Sequence, residues 1–288
     1  MKGKDYKKIT AKLLLSVMLF FGAFVQTSYA QDVVGYIGIT AAPLLTGLSS
    51  DRATLGSVFG FSGGITPEVK IGENFGIELD LLVTEKGAKR NYVDSLGIYN
   101  GTYYFNYNLK YNFMFAEGDL LLKWYIPIDH NPIVPYDAPG HHSFIYLEAG
   151  PYYSDMLSYS SSGTFQYYEG PLYGSKDTTN GSFKGTYYKT NKSPTLSSST
   201  IVTTDIGATV GLGVIFPVTH RGNLSFEVRY SKGITSIDNG EFGHYEDTWA
   251  NPPTNPEIKT IWSFPANATT FDLGLYITYK VRILGGGE

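Results

Sequence analysis

Cysteine is absent from this sequence, so no disulfide can hold the fold together. Charged residues are also scarce, at 17% of the chain, whereas glycine and tyrosine are abundant, with 33 and 24 residues. This composition is typical of twisted sheets with aromatic rims rather than of helices. Stability must therefore come from a hydrogen-bonded backbone framework and its packing.

Long apolar runs are missing as well. Beyond residue 31, no continuous apolar segment approaches the roughly 20 residues of a membrane-spanning helix, which excludes a helical membrane protein. The apolar run from Leu13 to Val25 follows a lysine-rich head and precedes a small-x-small cleavage pattern at residues 28–30. We therefore predict that residues 1–30 are a secretory signal peptide and that residues 31–288 form one exported domain.

The charge balance excludes one class of partner. The segment after the predicted signal peptide has 17 basic and 25 acidic residues, a net charge of −8 with histidine neutral. A nucleic-acid partner would require a basic surface, so we predict none. No phosphate-binding glycine loop, dinucleotide fingerprint or zinc-ligand spacing occurs in the sequence, and we predict no cofactor.

Eight stretches alternate apolar and polar residues, as half-buried strands do. They run from Val34 to Pro43, Ser57 to Lys70, Phe75 to Thr84, Phe113 to Ile126, Ser143 to Leu157, Ile201 to Phe216, Asn223 to Gly233 and Thr269 to Val281. Strands of globular sheets are shorter, at roughly 5 to 6 residues, whereas membrane-spanning strands need about 9 to 11. The connections are short after the second and sixth stretches and long after the third, fifth and seventh.

Together these features predict an all-β fold, a closed antiparallel up-and-down transmembrane β-barrel of eight strands in the outer membrane with long extracellular loops. In the last stretch we expect Leu273 and Leu275 to face lipid and Asp272 and Lys280 to face the interior. Only a closed barrel satisfies every backbone group of β-structure in lipid. A soluble barrel of the lipocalin type, with the two faces reversed, is the competing fold.

Charged residues of both signs fall on the predicted inward faces. The interior of an eight-stranded barrel is just wide enough to be filled by side chains, so we expect these charges to pair across the lumen and block it. An ion path or a catalytic carboxylate pair is the alternative interpretation. The predicted network is Glu78, Asp80, Asp119, Lys123, Glu148, Asp205, Glu227, Arg229, Asp272 and Lys280, with Glu68 and Lys70 on the same faces.

Five stretches in order resemble a known family, the PorT-like outer-membrane β-barrel proteins of Bacteroidota, which are small porin-like barrels. They are "GGITPEVKIGENFGIELDLLVTEKGAK", "EGDLLLKWYIP", "YLEAGPYY", "DIGATVGLGVIF" and "LSFEVRYSKGITSI". The resemblance covers most of the barrel and leaves the loops unmatched. It implies the fold and the outer-membrane location, and the name-giving member is tied to protein secretion.

Tyrosine-rich segments form the most distinctive part of the predicted loops. "GTYYFNYNLKYNF" and "FKGTYYKTN" share a GTYY core, and "GTFQYYEGPLYG" is a looser relative. They are either strand extensions above the membrane with an interfacial aromatic girdle or a recognition surface for a glycan or a protein. The candidate recognition residues are Tyr167, Tyr168, Tyr173, Tyr187 and Tyr188.

Few residues suggest catalysis. His141 and His142 are adjacent, and neighbours on a strand point to opposite faces, which makes a poor chelate. The acidic cluster around His244 is interpreted as a solvated loop. We therefore predict a non-enzymatic outer-membrane protein, without a metal, that has a structural or surface-recognition role. Its predicted partners are outer-membrane lipid and the barrel-assembly machinery. A narrow pore or a secretion-associated component is the alternative.

Overall fold

The computed structural model describes residues 33–50, 55–98, 101–128, 143–170, 177–188, 203–219, 221–237 and 268–285. These residues form nine β-strands: β1 Val33–Ser49, β2 Val58–Ile71, β3 Phe75–Ile98, β4 Gly101–Ile128, β5 Ser143–Gly170, β6 Asp177–Tyr188, β7 Thr204–Pro217, β8 Gly222–Gly233 and β9 Thr269–Leu284. Within the described part of the chain, no helix is long and apolar enough to cross a membrane.

Eight of the strands close into a ring of antiparallel pairs. Strands β1 to β5 pair consecutively, β5 continues to β7, and β7, β8 and β9 return to β1. The ring leaves no unpaired edge, which is the condition for β-structure inside lipid. The predicted eight-stranded up-and-down barrel is therefore confirmed.

Strand β6 lies outside the ring. It pairs with the upper half of β5, from Ser158 to Glu169, whereas β7 pairs with the lower half of the same edge, from Phe144 to Asp155. Strands β6 and β7 thus follow one another along a single edge of β5. Residues 189–203 of the sequence separate them.

Strands β3, β4 and β5 are much longer than predicted, with 24, 28 and 28 residues. The prediction of a long loop after the third strand is wrong, since β3 and β4 pair up to Ile98 and Gly101. The tyrosine-rich segment from residue 101 continues the alternation of β4, and aromatic residues favour strands. The alternative of strand extensions is the one that the structure shows for this segment.

The strand ends define two ends of the barrel. Val33 of β1 pairs with Ile71 of β2, next to the three-residue connection between β2 and β3. Gly72 opens that turn with a φ of +64°, a conformation that glycine adopts without a steric cost. The end of β9 lies at the same end, because Leu284 pairs with Gly35. Both described termini are therefore on the short-turn side.

Large apolar side chains cover the outside of the ring. On β4, for example, Leu122 and Trp124 are 63% and 56% exposed, while the intervening Lys123 is 2% exposed. The same arrangement holds on β9, where Leu273 and Leu275 are exposed and Asp272 and Lys280 are buried, as predicted. An exposed apolar belt around a charged interior suits lipid as the surrounding solvent. The lipocalin-type alternative, with the faces reversed, is wrong.

The apolar belt ends at a definite level on β4. Outward residues are apolar from Ile126 to Met114 and polar from Asn112 onward. With a rise of about 3.3 Å per residue and a tilt of about 40°, this belt is about 30 Å tall, the thickness of a hydrocarbon core. On β3 the same change occurs between Val83 and Glu85.

Beyond this level, the long strands continue as a four-stranded antiparallel sheet. We call it the projecting sheet. It consists of residues 85–98 of β3, 101–114 of β4, 158–170 of β5 and all of β6.

Candidate functional site: the charged interior and the projecting sheet

The barrel interior contains nine carboxylates and four cations, a formal excess of five negative charges among the described residues. Each of these residues is at most 5% exposed. They are Glu68, Glu78, Asp80, Glu117, Asp119, Glu148, Asp205, Glu227 and Asp272, with Lys86, Lys123, Arg229 and Lys280. Because carboxylates outnumber cations, every cation must be shared.

Arg229 of β8 lies at the centre of the larger cluster. Its Nη1 donates to Asp80, its Nη2 is 3.2 Å from Glu78 Oε1, and its Nε is 2.6 Å from Glu148 Oε1. Nε also contacts Glu227, its neighbour on β8. The guanidinium carbon lies 4.5 Å from the centre of the Tyr276 ring. One guanidinium thus joins strands β3, β5, β8 and β9, as the fixed fork of five donors allows.

Two lysines extend this cluster. Lys123 Nζ is 2.9 Å from Glu78 Oε1 and 3.1 Å from Glu148 Oε2. Lys280 Nζ is 2.5 Å from Glu68 Oε2 and also contacts Glu78. Glu78 therefore contacts all three cations of the cluster, since Arg229 binds it as well. Its loss would leave each cation with fewer partners in a low-dielectric interior.

A second cluster lies around Lys86 of β3. Its Nζ is 2.7 Å from Glu117 Oε2 and 3.1 Å from Asp272 Oδ2. The ammonium is also 4.5 Å from the centre of the Tyr152 ring. Sequence reasoning missed Lys86, because the third strand was predicted to end at Thr84, and it missed Glu117. The available signal was the alternation, since Lys86 follows Thr84 by two residues and Glu117 precedes Asp119 by two.

Hydroxyl groups satisfy carboxylates at the edges of these clusters. Tyr146 donates to Glu227 Oε2 at 2.6 Å, and Tyr125 donates to Glu68. Asp205 accepts from Tyr152 at 3.0 Å and from Thr270. The lumen is therefore filled by hydrogen-bonded side chains rather than by isolated charges, as buried polar groups require.

Asp80 and Asp119 are two incompletely satisfied members of the network. They are directly opposite in the register of β3 and β4, and both approach Arg229 Nη1, with Asp119 Oδ2 at 3.8 Å. The Oδ1 atom of each has no hydrogen-bond partner in the structure. Two carboxylates that face each other on a sheet are mutually destabilising. Arg229 offsets this repulsion for both.

The interior network gathers all ten predicted charges and adds three more, Glu68, Lys86 and Glu117, of which Glu68 was already placed on the inward faces. In the part of the chain that the structure describes, no three acidic or histidine side chains are arranged to hold a metal ion. The network fills the lumen and joins strands that are distant in sequence through ion pairs. Lys70 lies at its edge, half-buried, with Nζ 3.8 Å from the centre of the Phe144 ring.

The predicted recognition tyrosines do not share one face of the projecting sheet. Tyr167 pairs with Phe105 and Tyr187 pairs with Tyr159, in rows on the side that continues the lumen face. Tyr168 and Tyr188 alternate with them and occupy rows on the other side. Tyr173 lies outside the described residues. The register therefore divides the predicted set into two pairs.

The two faces of the projecting sheet differ in composition. Aromatic residues are concentrated at lumen-side positions, where they occupy eleven of 26, whereas the outer positions are mostly amides and hydroxyls. The lumen-side positions include Tyr92, Tyr107 and Phe165 in one row and Phe105 and Tyr167 in the next. The outer positions include Asn91, Asn108, Thr164 and Ser182 in one row and Asn106, Gln166 and Asn180 in another.

Aromatic side chains are also found lower on the lumen side, inside the mouth of the barrel. Phe113 and Phe115 are completely buried, and the Phe113 and Tyr159 rings stack at a centroid distance of 5.3 Å. Tyr111 is also completely buried, one row higher. Phe113 is opposite Lys86 in the register of β3 and β4, so these rings line the lumen at the level of the Lys86 cluster and one row beyond it. The residues around His141 and His244 lie outside the described part of the chain.

Comparison with known proteins gives similarity only to solved structures. No family model matches the chain, and no curated protein matches it. Neisserial surface protein A has 16% identity over 86% of this chain and 97% of its own, with a TM-score of 0.29. OprG from Pseudomonas aeruginosa has 14% identity over 88% and 96%, with a TM-score of 0.34.

A third solved structure is Ail, the attachment invasion locus protein of Yersinia pestis, in complex with the heparin analogue sucrose octasulfate. It has 9% identity over 86% of this chain and 99% of its own, with a TM-score of 0.28. Such low values indicate no close superposition. The strand pairings and surface pattern of this chain define its class by themselves, an eight-stranded membrane-spanning β-barrel of the outer-membrane type.

Proposed function

We propose that this protein is an outer-membrane barrel that binds an extracellular glycan on the lumen-side face of its projecting sheet. The observation that carries the proposal is the reversal of the face pattern above the membrane. Within lipid the strands are apolar outside and charged inside, whereas the projecting sheet has mostly polar positions outside and concentrates its aromatic positions on the lumen side. Aromatic rings with hydroxyl groups provide a broad contact area at a low entropy cost.

The filled lumen supports recognition rather than transport. All thirteen charged residues of the interior are at most 5% exposed, so they are almost fully shielded from solvent. Ions could cross this layer only if several shared salt bridges opened together. The chemistry of the described residues therefore favours a closed barrel that supports the sheet.

A paired set of variants tests the recognition site. Phe105→Ser with Tyr167→Ser removes two lumen-side rings of one row, and Tyr104→Ser with Tyr168→Ser removes two rings of the next row on the outer side. We expect the first pair to lower glycan affinity by about tenfold or more and the second to leave it within about twofold. Binding to a glycan array and titration of the hits would measure this.

Equal losses in both pairs would contradict the assignment of the face. A second outcome is that no glycan binds but an extracellular protein does, with the same dependence on Phe105 and Tyr167. The lumen-side face would then be the correct binding face, and the assignment of the partner as a glycan would be wrong. Heat-modifiable migration on a gel would show that each variant is still a folded barrel.

The location and the family are further parts of the proposal. We propose that residues 1–30 are a cleaved signal peptide, that the barrel-assembly machinery inserts residues 31–288 into the outer membrane, and that the chain is related to PorT-like barrels. The motifs of β2, β3, β7 and β8 support this relationship. A role associated with protein secretion is an alternative function that strand motifs alone do not transfer. Cell fractionation and sequencing of the mature N-terminus test the location. Recovery from the soluble periplasm would overturn it.

A further inference from the structure

A row of lysines crosses the outer side of the projecting sheet just above the apolar belt. Lys89 of β3 is directly opposite Lys110 of β4, which is opposite Ser162 of β5, which in turn is opposite Lys184 of β6. We call these four residues the basic row. Neighbouring strands are about 4.8 Å apart, so three lysine positions fall within about 15 Å.

Alternation places Lys89 and Lys110 on the outer side. Their chain neighbours Ala88 and Tyr111 are completely buried inside the barrel mouth, and successive strand residues point to opposite faces. Lys89 is exposed and Lys110 is partly exposed. Both ammonium groups therefore face the surroundings of the barrel and not its lumen.

The level of the row matches a lipid headgroup layer. Lys110 is four residues beyond Met114, the last apolar outward residue of β4, which places its backbone about 10 Å above the hydrocarbon edge. A lysine side chain is about 6 Å long and directs its ammonium toward the interface while its stem covers the sheet. The ammonium groups can thus reach the phosphate level.

No ion pair with a described side chain neutralises Lys89 or Lys110. The structure joins neither Lys89 nor Lys110 to a carboxylate, whereas the four interior cations each contact at least two. Like charges directly opposite on a sheet repel each other. An anion between the two ammonium groups would convert this repulsion into attraction.

One side of the row is open to a ligand. Gly56 forms a two-bond antiparallel bridge with Lys89, both N···O distances being 2.8 Å. It has no side chain, and a Cβ added there would lie 3.6 Å from the Lys89 Cβ. On the other side, Ser162 offers a hydroxyl donor beside Lys110.

We propose that the basic row binds the phosphate group of an anionic lipid in the outer leaflet. Two lysines on strands about 4.8 Å apart can each donate to a different oxygen of one phosphate, with the serine hydroxyl as a third donor. The lipid would neutralise the lysine pair and hold the projecting sheet upright on the membrane. This site is on the opposite side of the sheet from the proposed glycan site and does not depend on it.

Native mass spectrometry of the full chain in mixed micelles tests the site. The probe is phosphatidic acid against phosphatidylcholine, and the variant is Lys89→Gln with Lys110→Gln. The matched control is Lys232→Gln, which removes an outward cation of β8 at a distant position in the ring. We expect the double variant to retain about tenfold less phosphatidic acid and the control to retain as much as the unmodified protein.

Three results would overturn the proposal. Unchanged retention of phosphatidic acid in the double variant would mean that the basic row does not bind a lipid phosphate. An equal loss of phosphatidic acid in the Lys232→Gln control would mean that any outward cation attracts the lipid. Displacement of phosphatidic acid by millimolar inorganic phosphate would mean that the basic row binds free anions rather than a lipid. Heat-modifiable migration of both variants shows that the comparison is made on folded barrels.

Discussion

Three long strands, β3, β4 and β5, run through both the membrane-embedded ring and the projecting sheet, and they have different residue patterns in the two regions. In the ring, Leu122 faces outward and Lys123 inward, whereas in the projecting sheet Asn108 occupies an outward position and Tyr107 a lumen-side position. The change occurs within a few residues on both β3 and β4. Surroundings, and not strand geometry, therefore determine which residue type each face carries.

The comparison also separates two ways of stabilising β-structure. In the ring, closure satisfies the backbone, and shared ion pairs fill a lumen that is just wide enough for side chains. In the projecting sheet, the described pairings leave β6 bonded along one edge only. We expect the ring to be the more stable part and the projecting sheet to tolerate substitution better.

The largest effect should follow from Arg229→Met in the ring. It would leave Asp80, Glu148 and Glu227 without their shared cation, and removal of one partner from a buried charge cluster costs about 3 to 5 kcal/mol. Urea unfolding in lipid vesicles would measure this. Arg221→Met, at an exposed turn position, is the control. Equal unfolding midpoints for the two variants would contradict a central role of Arg229.

A charge placed on the lipid face should have the next largest effect. Leu122→Arg introduces a cation into the apolar belt, which costs about 2 to 4 kcal/mol near the bilayer midplane. Asn108→Arg places the same side chain on the same side of the same strand, above the belt, where we expect almost no change. The difference in unfolding midpoint between them locates the membrane boundary. If Asn108→Arg destabilised the barrel equally, the belt would extend further than proposed.

The smallest effect should come from Asp119→Asn. Asp119 faces Asp80 and is farther from Arg229, so the loss of its charge relieves repulsion while costing a weak contact. We expect a change within about 1 kcal/mol, and a larger loss for Asp80→Asn, because buried charges depend on direct partners. The same unfolding measurement compares the two. A larger loss for Asp119→Asn would mean that Arg229 depends on Asp119 more than on Asp80.

Alternation was sufficient to predict the eight ring strands and eleven of the thirteen inward charges. It was not sufficient for the strand ends, because a predicted loop and a strand extension above the membrane have the same tyrosine-rich composition. The prediction missed Lys86 for this reason, because it ended the third strand two residues earlier, at Thr84. Strand β6 was missed as well, because its Gly and Thr residues give no apolar face and only pairing with β5 makes it a strand.

The amino-acid pattern by itself determined which residues face lipid and which face the interior, because a strand alternates its side chains whatever its partners are. Only the tertiary structure decided which charges meet. Arg229 and Asp80 are 149 residues apart in sequence and come together through ring closure and register. The same register decided that Lys89, Lys110 and Lys184 lie in one row of the projecting sheet.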